Sequence, residues 1–325
     1  MRVVAEAGQT MMASVETAID QAYRAMHAGA WGYKTQLLTP ETIARPDASL
    51  YWDDKFGNKD QREAFTRAGL IDYGAWAEVK NACDDFGITF LATPFDLDAV
   101  AALDKIGVRH YKIASGDITY QQLIEEVAQT GAEIILSTGA STGPEIDRAV
   151  KWCGPLANVT LLACTLSYPT PAHAANLGRI AKLQERFPYL NVGYSDHTSL
   201  PDSGMCAAAL GSTLNEVHYT LDRSGPDVPD HAMALDPTGL ARYVEASNRG
   251  ALLRGAPNLA PCDEELPARR GARRSICAKH DLPEGHIPTL DDFAYLRPGD
   301  GIPPYLADSV AGIPLTRAKK AGEPL

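Results

Sequence analysis

A chain of 325 residues exceeds the usual size of one domain, though an α/β barrel with a small appendage would use all of it. Its 45% hydrophobic and 22% charged residues are ordinary for a globular protein, and no apolar run approaches the roughly 18 residues of a membrane span. The 41 acidic against 30 basic side chains leave a formal net charge of −11, which opposes extended nucleic-acid contact but not a few lysines gathered around a small anion.

The first residues, MRVVAEAGQT, carry no apolar signal core and read as a first strand, Arg2–Ala5, so a cytoplasmic protein is expected. Val15–His27 reads as a helix and Trp31–Gln36 as a second strand ending in Lys34 and Gln36. Thr39–Gly69 is a long polar excursion with aromatic residues, a length that suits either a substrate-covering segment or plain surface. From Asp72 onward helix and strand alternate regularly. Helices are predicted at Trp76–Phe86, Leu97–Ile106, Gln121–Thr130, Glu145–Trp152, Ile180–Phe187 and Pro237–Ser247. The strands between them are Ile88–Ala92, His110–Ile113, Glu133–Leu136, Val159–Ala163, Val192–Tyr194 and Thr213–His218. A small-residue helical segment, MCAAALG, separates the last two strands. Eight strands with intervening helices predict a (β/α)₈ barrel, a TIM barrel of the α/β class, over 1–258. A polar linker follows at 259–274, and then a small, mostly β domain at 275–325. The six cysteines are scattered without any CxxC and read as reduced, small hydrophobic residues.

The polar residues fall where a barrel keeps its chemistry. Glu6, Lys34, Thr93, Lys112, Ser115, Ser137, Tyr168, Ser195, His197 and His218 all lie at or just past strand C-termini. Lys34 and Lys112 sit in apolar strand contexts, where a lysine needs an anion beside it. His197 and His218 end the two strands that flank MCAAALG, so parallel, adjacent strands would put both imidazoles at one mouth, ready for a first-row divalent ion. The lysines and hydroxyls suit a phosphate or carboxylate, and Glu6 suits a base or a carboxylate that orients water. Neither a P-loop nor a Rossmann glycine pattern is present. These residues predict a metal-assisted barrel enzyme acting on a small anion. A Schiff-base pyruvate aldolase with Lys112 or Lys34 as nucleophile and a non-catalytic sugar-binding or scaffold protein are the competing readings.

The runs VVAEAG, GYKTQ, LATPFD, HYKIASGD, LSTGAS, LLACTLSYPTP, GYSDHT, VHYTLD and PDH, with RRSICAKHDLPEG and LRPGDGI in the tail, resemble the sialic acid synthase family across essentially the whole chain. The resemblance implies metal-dependent condensation of phosphoenolpyruvate, as co-substrate, with the open-chain aldehyde of an N-acylated amino sugar to give a nonulosonic acid. A different sugar or aldehyde acceptor in a secondary pathway is the variant reading. It implies that His197 and His218 hold Mn²⁺ or Mg²⁺. Lys34, Thr93, Lys112, Ser115, Ser137, Ser195 and His197 would surround phosphoenolpyruvate, and Glu6 would handle the attacking water. Gln36, Tyr168 and Asp230 would lie beside the sugar, with Asp227 the alternative to Asp230, and Asp117 would be a further substrate-binding residue. It further implies an antifreeze-like (SAF) tail domain, a domain-swapped homodimer, and Arg297 reaching the sugar from the partner's tail. The chain departs from the family pattern at Gln9-Thr10-Met11-Met12 (usually Asn-His-Asn-Gly), at Val217 (usually Lys), at Asp117 (usually Glu) and through Ser224–Asp230.

Overall fold

The computed structural model describes residues 1–52, 57–155, 157–198, 200–224, 230–256 and 258–325. Two compact units are present, Met1–Gly255 and Ala256–Leu325.

In the first unit eight parallel strands close into a barrel in sequence order: β1 (Arg2–Gly8), β2 (Gly32–Leu37), β3 (Thr89–Pro94), β4 (His110–Ile113), β5 (Glu133–Ser137), β6 (Val159–Cys164), β7 (Asn191–Asp196) and β8 (Leu214–His218). The helices outside are set by local chemistry. Ser14 accepts from the backbone N–H of Thr17 to start Val15–His27, Asp96 caps Leu97–Lys105 through Ala99, and Asp236 followed by Pro237 opens Pro237–Arg254. Because helices cover one sheet face and the barrel interior the other, the strands are buried on both sides and read as near-continuous apolar runs.

The interior is layered with the period of two that strands impose. Val4, Leu91, Ile135, Leu162 and Leu214 form an apolar plug. A Cβ at Gly193 would lie 2.6 Å from Leu162 Cδ2, so β7 contributes no side chain there and the leucines fill the space. Two residues before the plug lie Arg2, Glu133 and Thr160, joined by an Arg2–Glu133 ion pair of 2.8 Å and a hydrogen bond of 2.7 Å from Thr160 to Glu133. Two residues after it lie Glu6, Thr93, Ser137, Cys164 and Glu216. Strand β1 runs on to Gly8, past the expected end at Ala5, because its carboxylate at Glu6 is paired inside the barrel rather than exposed in a loop.

The second unit contains an antiparallel pair, β9 (Ser275–Ala278) and β10 (Phe293–Leu296), over a small core of Ile276, Ala278, Leu282 and Phe293. The stretch expected as a linker carries a short helix, Leu266–Ala272, with Arg269 and Arg270 in its last turn. All six cysteines are free thiols.

Candidate active site

The C-terminal mouth of the barrel opens into a cavity of about 380 Å³, within the range of small-molecule sites. Thirteen of the expected residues line it: Glu6, Lys34, Gln36, Thr93, Lys112, Ser115, Asp117, Ser137, Tyr168, Ser195, His197, His218 and Asp230. Asp227 falls outside the described residues. Arg297 belongs to the second unit.

Strand register explains the gathering. Glu6 on β1 is paired with Lys34 on β2 and with His218 on β8, Gln36 with Thr93, and Ser195 with Glu216. Lys34 and Lys112 are 2% and 4% exposed, so each ammonium must find its anion inside. Lys34 Nζ lies 2.7 Å from Glu6 Oε2 and 3.6 Å from Glu216 Oε2, and it donates to Thr93 Oγ1 at 3.1 Å. Lys112 Nζ lies 3.6 Å from Glu216 Oε1, and that oxygen also accepts from Ser195 Oγ at 3.0 Å. Gln36 donates to the second oxygen of Glu6 at 2.9 Å.

Glu216 therefore ties both lysines together, and sequence reading missed it. Burial alone would raise its pKa, but Lys112, Lys34 and the Ser195 hydroxyl outweigh burial and hold it at about 2. The lysines respond in opposite directions. Burial works against both. Lys34 has two carboxylates and is raised, whereas Lys112 has one, faces Lys34, and is lowered. The signal for Glu216 was its position two residues before His218 on one strand, which puts both on the inner face.

The imidazoles meet beside this cluster, with ring centroids 5.3 Å apart and Tyr168 packed 4.3 Å from His197. His197 Nδ1 lies 2.9 Å from the Thr165 carbonyl, a contact that fixes the ring and leaves its other nitrogen for a ligand. The preceding residue, Asp196, is anchored by Thr198 and by the Tyr243 hydroxyl at 3.1 Å, and it is hydrogen-bonded to Ser203. Both sides of His197 are thus fixed. His218 Nδ1 is buried without a hydrogen-bond partner, and Asp230 Oδ2 stands 3.8 Å away. Burial, reinforced by His197, brings the His218 pKa down to about 4, which leaves its imidazole neutral at physiological pH. Among the described residues no three His, Cys, Asp or Glu are arranged around one point as a closed metal site. Two inward imidazoles, one with an unpartnered nitrogen, fit an open two-histidine site whose remaining positions go to water or substrate oxygen.

On the outer side of the cavity Asp117 keeps a buried oxygen without a partner, and burial pushes its pKa up to about 6 against the pull of Lys112. The 39–69 excursion, whose role sequence left open, contributes Ile43, Tyr51, Trp52, Gln61, Ala64, Phe65 and Ala68 to the lining.

The NeuB family model matches residues 19–257. An uncharacterised protein of Methanocaldococcus jannaschii is 36% identical over 78% of this chain and 75% of its own length. The N,N'-diacetyllegionaminic acid synthase of Legionella pneumophila is 29% identical over 99% of this chain and 92% of its own. Among solved structures, the N-acetylneuraminic acid synthetase of Leptospira borgpetersenii superposes with a TM-score of 0.73 at 29% identity, covering 82% of this chain and 89% of that one. With the barrel, the lysine–carboxylate cluster and the two histidines in place, the chain belongs to the NeuB family, the sialic acid synthases and their relatives.

Proposed function

We propose that this enzyme condenses phosphoenolpyruvate with the open-chain aldehyde of an N-acylated amino sugar to give a nonulosonic acid. The observation that carries the reading is the pair of buried lysines beside two inward imidazoles at the barrel mouth. In this reading Lys34 and Lys112, with the hydroxyls of Thr93, Ser115, Ser137 and Ser195, hold the phosphate and carboxylate of phosphoenolpyruvate. Gln36, Tyr168 and Asp230 face the acceptor. C3 of phosphoenolpyruvate bonds to the aldehyde carbon, water adds at C2, and the bond from C2 to the phosphate oxygen breaks to release phosphate. Glu6, held by Lys34 and Gln36, orients that water and takes its proton. His197 and His218 would hold Mn²⁺ or Mg²⁺, whose chemistry when bound is polarisation of the aldehyde oxygen. The active assembly in this reading is a domain-swapped homodimer in which Arg297 of the partner subunit reaches the sugar.

The test is an acceptor screen with phosphoenolpyruvate and Mn²⁺, read by phosphate release and product mass. Acceptor-dependent phosphate release is expected. Metal-independent turnover of pyruvate, with borohydride trapping it on Lys112 or Lys34, would replace the reading with a Schiff-base aldolase.

A further inference from the structure

We infer that Thr10 and Gln21 are positioning residues for the reaction: from outside the barrel they fix the backbone that sets Glu6 against His218. This rests on the proposed condensation, in which Glu6 handles the water and His218 holds the metal. It also gives a role to the 9–12 segment, where the chain departs from the family pattern.

At the mouth β1 slips by one residue against β2. Glu6 lies opposite Lys34 but Gly8 lies opposite Thr35, which makes Ala7 an extra residue, and Gly8 turns at a φ of +58°. Such a bulge re-aims side chains, and it persists where the freed backbone groups find other partners. The Ala7 carbonyl finds two in Thr10, the backbone N–H at 2.9 Å and the hydroxyl at 2.8 Å. On its other side β1 runs beside β8, and the last paired residues there are Glu6 and His218. Just beyond that pair the Tyr219 N–H donates to the Glu6 carbonyl at 2.7 Å, and the Tyr219 carbonyl accepts from the same Thr10 hydroxyl at 3.1 Å. One hydroxyl thus ties the backbone one residue past Glu6 to the backbone one residue past His218.

The hydroxyl is itself held. Carbonyl oxygens only accept, so Thr10 donates to them and its own oxygen is left to accept. Gln21 Nε2, from the helix Val15–His27, donates to it at 3.0 Å, and the Gln21 oxygen accepts from the Tyr33 hydroxyl at 2.8 Å. Thr10, Gln21 and Tyr33 are 3%, 0% and 0% exposed, so each bond satisfies a group that bulk water cannot reach. The other buried residues of that helix are Ala18, Ala22 and Ala25. An apolar side chain would pack there without burying an amide, so Gln21 is explained by its bonds and not by its bulk. Tyr33 precedes Lys34, and strand alternation sends the two side chains to opposite faces of β2. The chain Tyr33–Gln21–Thr10 therefore joins, from the helix side, the three strands that carry Lys34, Glu6 and His218.

The experiment measures kcat and KM for phosphoenolpyruvate, with the best acceptor of the screen, in Thr10→Val, Thr10→Ser and the double variant Gln21→Met/Tyr33→Phe. Thermal melting places each activity on a per-folded-molecule basis. Thr10→Val keeps the shape and loses the hydroxyl, so kcat should fall about ten- to hundred-fold, the cost of a misplaced reacting group, with KM for phosphoenolpyruvate changed by less than about twofold. Thr10→Ser restores the hydroxyl and packs less well than valine, so recovery of kcat to within about threefold of the native value separates positioning from packing. The double variant removes both partners of one bond and leaves Thr10 unsupported; it should fold and lose about three- to tenfold in kcat. Should Thr10→Val fold poorly, the double variant decides. Native kcat per folded molecule in Thr10→Val, or an equal loss in Thr10→Val and Thr10→Ser, would overturn the positioning role and leave the condensation standing. Native kcat in the double variant would remove Gln21 from it. Failure of the native enzyme to consume phosphoenolpyruvate with every acceptor would overturn both.

Discussion

Replacing Glu216 with Gln is the most informative single change, because the side chain keeps its shape and loses only its charge. In the folded protein Glu6 and Glu216 balance Lys34 and Lys112, so the buried cluster is formally neutral. The carboxyl of Glu216 is held at about 2, against an ordinary 4.5. A carboxylate depressed this far contributes stability that is fully present above the ordinary value and is lost as pH falls through 4.5 toward 2. At neutral pH the difference corresponds to about 3 kcal/mol, consistent with the roughly 3–5 kcal/mol typical of breaking a buried ion pair. For a unit of this size that is a fall in melting temperature of about 6–12 °C. The same substitution leaves the lysines with one excess positive charge, so inorganic phosphate should bind the variant at least about tenfold more tightly, an effect worth about 1.4 kcal/mol. Thermal melting at pH 7, with and without a phosphate titration, reads both effects. An unchanged melting temperature together with unchanged phosphate affinity would refute the view that Glu216 balances the charge of Lys34 and Lys112.

Three further changes probe other parts of the site. His218→Ala should abolish metal-dependent turnover and weaken Mn²⁺ binding measured by titration without substrates; retained turnover would remove His218 from the metal set. Asp117→Asn should stabilise the protein by about 1–3 kcal/mol above pH 6, read as a higher melting temperature, and not below pH 4, because burial disfavours the ionised form and the native protein loses stability as pH rises from 3.8 to about 6. A melting difference independent of pH would contradict that. Gly8→Ala places a Cβ 2.6 Å from Asp230 Oδ2 at a φ of +58°, so stability should drop by about 1–2 kcal/mol and KM for the acceptor should rise more than KM for phosphoenolpyruvate. Equal changes in both constants would mean that Asp230 does not face the acceptor.

The barrel was legible because its strands are apolar on both faces and its helices are amphipathic, two periods that differ plainly in sequence. His197 and His218 were legible from position: His218 ends a strand and His197 stands one residue past the end of another. Glu216 was harder. In Asn-Glu-Val-His it looks like an ordinary polar residue alternating with apolar ones, and its importance appears only when register sets it across from Ser195 and within reach of lysines on β2 and β4. Asp196 was hidden similarly, since its partner Tyr243 comes from the helix Pro237–Arg254. The outer lining of the cavity was the least legible part. Ile43, Trp52 and Phe65 have no shared period, and they reach the cavity lining through contacts that local pattern does not encode.

The two polar layers of the barrel show how an acidic chain makes a place for an anion. At the bottom, Arg2 reaches both oxygens of Glu133 at 2.9 and 2.8 Å, and Thr160 donates to the same carboxylate. Both contacts of Arg2 with Glu133 come from Nη1, while Nη2 donates to Thr160 Oγ1 at 3.3 Å, so the three side chains close on one another, and the layer serves stability. At the top the cations are lysines, compact charges that two carboxylates share at 2.7 to 3.6 Å. This layer balances charge without using up its hydrogen bonds: Ser137 Oγ, His218 Nδ1 and one oxygen of Asp117 are buried without partners. Unmet buried polar atoms cost about 1–3 kcal/mol each, a cost that a bound substrate would relieve. The apolar plug between the layers separates them, so the upper one can remain incompletely satisfied while the lower one is closed. Substrate binding is thus favoured by the difference between two layers built from the same few residue types, and not by any surplus of positive charge.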